Sequence, residues 1–219
     1  MDSLTLRQLI DTHNIRTGKD YAMNYIPIYD SIFMEYQTKP VKILEIGIER
    51  GNSLVLWNKY FSNAEIIGMD NFHDSKVYKF ETLDFNSDNI KIFEGDQGNI
   101  DDLKLLIDTY GSNYDIIIDD GSHNLQDHQT SLGFLFQHLN TGGVYIIEDL
   151  ETQFSKNFNK YNRDKNNKPY EYMYNSIDFL SNLYTSSSMF MKPEELSYLR
   201  DHITRNEFLD ETLWACYKK

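Results

Sequence analysis

Apolar residues recur at Leu4, Leu6, Leu9 and Ile10, and again through residues 24 to 36 (NYIPIYDSIFMEY), a helical spacing that predicts a helical lead-in over residues 1 to 40. Lys39-Pro40 breaks that pattern. Five short apolar runs follow, at 41 to 47 (VKILEIG), 64 to 70 (AEIIGMD), 90 to 94 (IKIFE), 114 to 120 (YDIIIDD) and 143 to 149 (GVYIIED), each of strand length. Between them lie segments of helical character at 52 to 61 (NSLVLWNKYF), 99 to 110 (NIDDLKLLIDTY) and 126 to 139 (QDHQTSLGFLFQHL). Nearly continuous apolar strands alternating with helices build βαβ units and a mostly parallel sheet covered on both faces, so the predicted class is α/β. Residues 202 to 208 and 212 to 217 flank Leu209-Asp210-Glu211 and read as a hairpin that adds an antiparallel strand at the sheet edge. No internal repeat is visible. Residues 41 to 219 are expected to form the α/β body, in a chain that is a single domain overall.

Composition narrows the functional classes. Of 219 residues, 40% are hydrophobic, with 16 Tyr and 13 Phe, which is ample for a folded core. A formal net charge of −13 repels phosphate backbones and anionic lipid, making nucleic acid and membrane surfaces poor partners. Cys216 is the only cysteine, so no intrachain disulfide can form, and it reads as a small hydrophobe. Asp2, Arg7 and Asp11 near the start do not fit a targeting segment. No apolar run approaches the ~20 residues that span a bilayer. A soluble cytoplasmic protein is expected, and a homo-oligomer is compatible with it. Residues 155 to 175 are rich in Asn, Lys and Tyr and follow a strand end, where a substrate lid or a solvated insertion would both fit.

Candidate chemistry begins at Glu45-Ile46-Gly47-Ile48-Glu49-Arg50-Gly51, where the first strand should turn into a helix. A tight turn there calls for glycine at Gly47 and Gly51. Nicotinamide and flavin sites usually carry a further glycine between these two, pressed against a pyrophosphate; here the position is Glu49, whose carboxylate would repel it. S-adenosylmethionine has no phosphate, and its ammonium and sulfonium suit an acidic pocket. Asp70 ends the second strand, where a carboxylate can accept ribose hydroxyls, and Asp96-Gln97 follows the third, where the amide could reach an adenine edge. Each acid alone could equally be a solvated strand-end carboxylate. In register on three successive strands they favour the cofactor.

The next strand ends in Asp119-Asp120-Gly121-Ser122-His123 and the one after it in Glu148-Asp149. Alternation sends Asp119 and Asp120 to opposite faces, so one of them should enter the cleft. Neighbouring parallel strands lie about 4.8 Å apart, so carboxylates from these ends can converge on one hard cation such as Mg²⁺. His123 lies close enough to reach a substrate held there, and imidazole is the side chain suited to accept a proton near neutral pH. His13, His73, His128, His138 and His202 stand outside recognisable motifs.

The segments LEIGIERGNSL, GDQ, IIIDDGSH and GGVYIIEDLET resemble the metal-dependent sugar O-methyltransferases that tailor macrolides and related glycosylated natural products, and similar domains associated with surface polysaccharides. The resemblance spans roughly residues 16 to 155. It implies a Rossmann-like, doubly wound, seven-stranded sheet, with transfer of a methyl group from S-adenosylmethionine to a sugar hydroxyl. It further implies Asp120, Glu148 and Asp149 as Mg²⁺ ligands, His123 as general base, and Glu45, Gly47, Asp70, Asp96 and Gln97 around the cofactor, to which position adds Gly51 and Asp119. Many relatives carry Thr-Asp-Lys and then a His in the lead-in, where this chain has Thr17-Gly18-Lys19 and Met23. A phenolic or catechol O-methyltransferase and a non-catalytic S-adenosylmethionine-binding protein are the alternatives.

Overall fold

A computed structural model describes residues 4–73, 88–150, 176–188 and 190–219. The chain divides into two compact units, Met1–Glu94 and Gly95–Lys219.

In the first unit the lead-in forms three helices, α1 (Leu6–His13), α2 (Gly18–Tyr21) and α3 (Ile26–Phe33). Thr5 starts α1 through a capping box: its hydroxyl accepts from the Gln8 N–H at 3.2 Å while the Gln8 amide oxygen accepts from the Thr5 N–H at 2.8 Å. Asn14, at φ 51°, ends the helix in the left-handed conformation. The buried faces of α1 (Leu6, Leu9, Ile10) and α3 (Ile26, Tyr29, Ile32, Phe33) carry the spacing seen in the sequence. Strand β1 (Pro40–Ile46), helix α4 (Asn52–Tyr60), β2 (Asn63–Asp70) and β3 (Ile90–Glu94) complete the unit. The strands are parallel, with Ile43 opposite Ile66 and Ile66 opposite Ile90. Aromatic edges dock the lead-in on α4: the Trp57 ring lies 5.3 Å from both Tyr29 and Phe33. A Cβ at Gly68 would fall 2.6 Å from Leu54 Cδ1, so this glycine lets α4 approach the strand.

The second unit contains α5 (Ile100–Tyr110), β4 (Tyr114–Asp119), α6 (Leu125–Leu135), a 3₁₀ turn (Phe136–His138), β5 (Leu139–Ile147), α7 (Ser176–Ser181), α8 (Pro193–His202), β6 (Ile203–Phe208) and β7 (Trp214–Lys218). β4 and β5 are parallel, whereas β7 is antiparallel to both β5 and β6. Lys218 closes the unit by donating from Nζ to the carbonyls of Phe136 (3.3 Å), Gln137 (2.9 Å) and Leu139 (2.7 Å), which satisfies the end of the α6 segment.

The seven strands run in the order β3-β2-β1-β4-β5-β7-β6, a mostly parallel sheet with the C-terminal antiparallel hairpin that the sequence predicts. Three elements differ from expectation, among them the short helix α7, which the sequence pattern did not predict. β5 begins at Leu139 rather than at residue 143, because Tyr114 pairs with Leu139 across a register shift and the unfavourable Gly142-Gly143 pair is carried inside the strand. Helix α8 was not anticipated, since Leu196 and Leu199 are its only described buried residues and the rest is polar. The lid reading of residues 155 to 175 lies outside the described residues. Among the described residues no helix is long and apolar enough to cross a membrane.

Candidate active site

In the first unit, β1 hands the chain to α4 through a turn held entirely by backbone geometry and one carboxylate. Gly47 (φ 79°) and Gly51 (φ 72°) both take the left-handed conformation that glycine adopts without strain, and Glu49 takes it at φ 46°. Asp70 Oδ2 accepts from the N–H groups of Ile48 (3.0 Å) and Glu49 (3.3 Å), and Oδ1 from that of Phe72 (2.9 Å). The residue expected to meet a ribose therefore also fastens the glycine turn.

Beneath that turn Glu45 is 0% exposed. Its Oε2 accepts from Trp57 Nε1 at 2.9 Å, and its Oε1 lies 3.1 Å from the Nζ of Lys19, itself 3% exposed. Sequence reasoning did not foresee this buried ion pair. Its one trace in the sequence is Thr17-Gly18-Lys19, set against the Thr-Asp-Lys of many relatives, and nothing there pairs the lysine with Glu45.

In the second unit Asp96 is exposed, and its Oδ1 accepts from the Gly98 N–H at 2.8 Å. Gln97 is buried with its amide engaged at both ends: Nε2 donates to Asp119 Oδ1 (2.9 Å) and Oε1 accepts from the Ser122 N–H (2.8 Å). Asp119 is fully buried, and its Oδ2 accepts from the hydroxyls of Ser131 (2.5 Å) and Tyr145 (3.1 Å). Burial pushes the Asp119 carboxyl upward from its ordinary range, and the bonds from Ser131, Gln97 and Tyr145 oppose that shift. Its donors all come from inside the unit. His128 is also buried; its Nδ1 lies 2.8 Å from Ser176 Oγ, and desolvation pushes its pKa down to about 3, so the ring is neutral.

The register of β4 and β5 sets Asp119 opposite Ile147, so the turns that follow the two strands lie side by side. From them Asp120, His123 and Asp149 each offer one ligand atom, and these atoms all lie within 4.8 Å of one another. His123 Nε2 and Asp149 Oδ2 are 3.9 Å apart, with 18% and 24% of the side chains exposed. Both residues are left-handed, His123 at φ 59° and Asp149 at φ 55°. Such backbone costs about 1 to 3 kcal/mol per residue and concentrates at functional sites. Glu148 is buried, and its backbone N–H donates to the Asp119 carbonyl at 2.9 Å; among the described residues its side chain is not one of the three gathered.

The cluster fits a hard divalent ion. Ligand atoms about 2.1 Å from an octahedral Mg²⁺ stand roughly 3 Å apart when adjacent and 4.2 Å apart when opposite, and the atoms gathered here, all within 4.8 Å of one another, reach those spacings by side-chain adjustment. Two partly exposed carboxylates also leave water access for the remaining positions.

No protein-family model matches the chain. Over 141 residues it is 34% identical to the mycinamicin VI 2''-O-methyltransferase of Micromonospora griseorubida, a match covering 61% of this chain and 33% of that protein. It is 37% identical over 141 residues to the demethylmacrocin O-methyltransferase of Streptomyces fradiae, again covering 61% of this chain and 33% of that protein. This chain therefore spans about a third of the length of these curated relatives. In solved structures it is similar to the MycE methyltransferase of the mycinamycin biosynthetic pathway in complex with Mg and SAH (S-adenosylhomocysteine), with a TM-score of 0.73 and 26% identity over 99% of this chain and 55% of that one. Over about a third of their length the chain is thus similar to curated O-methyltransferases named for mycinamicin, demethylmacrocin and rhamnosyl-tetracenomycin.

Proposed function

We propose that this chain transfers a methyl group from S-adenosylmethionine to a hydroxyl on the sugar of a glycosylated small molecule, in a reaction that depends on Mg²⁺. The observation that carries the reading is the meeting of Asp120, His123 and Asp149 at the ends of adjacent parallel strands. Asp120 and Asp149 would hold the ion, with Glu148 from the same strand end as the third carboxylate. When bound, S-adenosylmethionine supplies an electrophilic methyl on a sulfonium, and Mg²⁺ eases loss of the proton from an acceptor hydroxyl.

The chain's own residues do the rest. His123 would accept the hydroxyl proton on its imidazole, and the freed oxygen lone pair would form the new C–O bond as the methyl–sulfur bond breaks and its electron pair leaves with S-adenosylhomocysteine. In the first unit the turn from Gly47 to Gly51, with Glu45 beneath it, presents backbone to the donor. A carboxylate has about four lone-pair sites, and three of those on Asp70 already accept backbone N–H groups. One ribose hydroxyl can be accepted directly; a grip on both requires release of the 3.3 Å bond from Glu49. In the second unit Asp96 is exposed, while Gln97 and Asp119 hold together the turns that follow β3 and β4.

Calorimetric titration with S-adenosylhomocysteine, paired with turnover of S-adenosylmethionine on a panel of deoxysugar-bearing acceptors, tests the reading. His123→Ala is expected to lower turnover by about 10²- to 10⁴-fold, the usual contribution of a general base, with cofactor affinity unchanged. Chelation of divalent metal should abolish turnover. A wild-type chain that fails to bind S-adenosylhomocysteine, or a His123→Ala chain that loses this binding, overturns the assignment.

A further inference from the structure

His123 sits in the left-handed region, uncommon for residues other than glycine, where neighbouring contacts hold it. The residues on either side of it, Ser122 and Asn124, are tied to one atom. Ser122 Oγ donates to Asp127 Oδ2 at 2.6 Å, and Asn124 Nδ2 donates to the same oxygen at 2.6 Å. Asn124 also caps α6 by accepting from the Asp127 N–H at 3.1 Å. In an ordinary capping box the acidic residue three positions into the helix would accept from the backbone N–H of the cap residue. Here that oxygen is given instead to the two side chains that bracket His123.

The carboxylate is held from its other side as well. A Cβ at Gly98 would fall 2.2 Å from Asp127 Oδ1 and 2.9 Å from its Cγ, so the carboxylate occupies space that only glycine leaves open. The adjacent Gln97 accepts from the Ser122 N–H and donates to Asp119, joining the same turn to the end of β4. The loop after β3 thus buttresses the turn after β4 through a side chain at 97 and a missing one at 98.

We infer that Asp127 is a positioning residue for the metal centre: it sets the turn from Asp120 to Asn124 so that Asp120 and His123 meet Asp149. The inference rests on the reading of that cluster as a metal site, and it extends to Gly98, whose role is to admit the carboxylate. Groups that orient metal ligands change affinity or activity by about 10- to 100-fold when removed.

The test uses the full chain and Mn²⁺ as a paramagnetic substitute for Mg²⁺, followed by electron paramagnetic resonance of the free ion. Asp127→Ala should weaken Mn²⁺ binding by about 10- to 100-fold while S-adenosylhomocysteine affinity and the melting profile stay near wild type. Gly98→Ala, which leaves Asp127 in place but displaces it, should reproduce the loss. Asp127→Asn, which keeps an oxygen for Ser122 and Asn124, should restore most of the affinity. Unchanged Mn²⁺ binding in Asp127→Ala overturns the inference, as does an equal loss of cofactor binding and fold, which would reduce Asp127 to a helix-start residue. A wild-type chain that binds Mn²⁺ but no S-adenosylhomocysteine would defeat the methyl-transfer reading and leave the Asp127 inference standing on the metal data.

Discussion

Replacing Lys19 with Met removes the cation that stands 3.1 Å from Glu45, where the side chains are only 3% and 0% exposed. An exposed ion pair contributes about 0 to 1 kcal/mol. Taking one partner from a buried pair is far costlier, about 3 to 5 kcal/mol, because the remaining charge is left in a medium that solvates it poorly. Glu45 would keep its bond from Trp57 but lose the ammonium beside it. Glu45→Gln should cost a similar amount by taking the carboxylate from beside the buried ammonium. The double variant should be more stable than either single one, since its amide oxygen can still accept from Trp57 and no charge is left buried. Urea unfolding followed by Trp57 fluorescence, in a Trp214→Phe background, reads the first unit. With an m value of about 2 kcal/mol/M, the single variants should lower the midpoint by about 1.5 to 2.5 M. A shift below about 0.5 M in Lys19→Met, or a double variant that loses the sum of the two single effects, would refute the reasoning.

Two further expectations concern the second unit. Lys218→Met withdraws the donor shared by the carbonyls of Phe136, Gln137 and Leu139, and should cost about 2 to 3 kcal/mol in thermal or urea unfolding followed by Trp214; a loss under about 0.5 kcal/mol would show that those carbonyls are satisfied without it. His128 has a folded pKa pushed down to about 3 by burial, below its unfolded value, so the unfolded state takes up the proton first. Its contribution is therefore complete above about pH 6.5 and falls by about 1.4 kcal/mol per pH unit below it, towards pH 3. Urea midpoints of wild type between pH 7 and 4 should fall more steeply than those of His128→Gln, and parallel profiles would contradict the assignment.

The parallel core was legible because its strands are nearly uninterrupted apolar runs, and the closing hairpin because Leu209-Asp210-Glu211 separates two strand-like segments. α8 was hidden by its polarity, and the early start of β5 by two glycines that propensity places outside a strand. In the site, chain-local features were readable: Asp120, His123 and Asp149 follow strand ends, and strand alternation separates Asp120 from the buried Asp119. What could not be read is pairing between residues distant in sequence. Lys19 meets Glu45, Gln97 bridges Asp119 and Ser122, and Gly98 faces Asp127, none of which leaves a periodic trace.

His123 and Asp149 both hold a backbone shape that glycine would adopt at no cost. Any selection of this chain for heat resistance alone would therefore drift towards glycine at these two codons, and would erase the residues proposed as proton acceptor and ion ligand. Ruggedness and the proposed chemistry pull against each other here at two identifiable peptide units, so a hardened variant of this chain should be engineered everywhere except there.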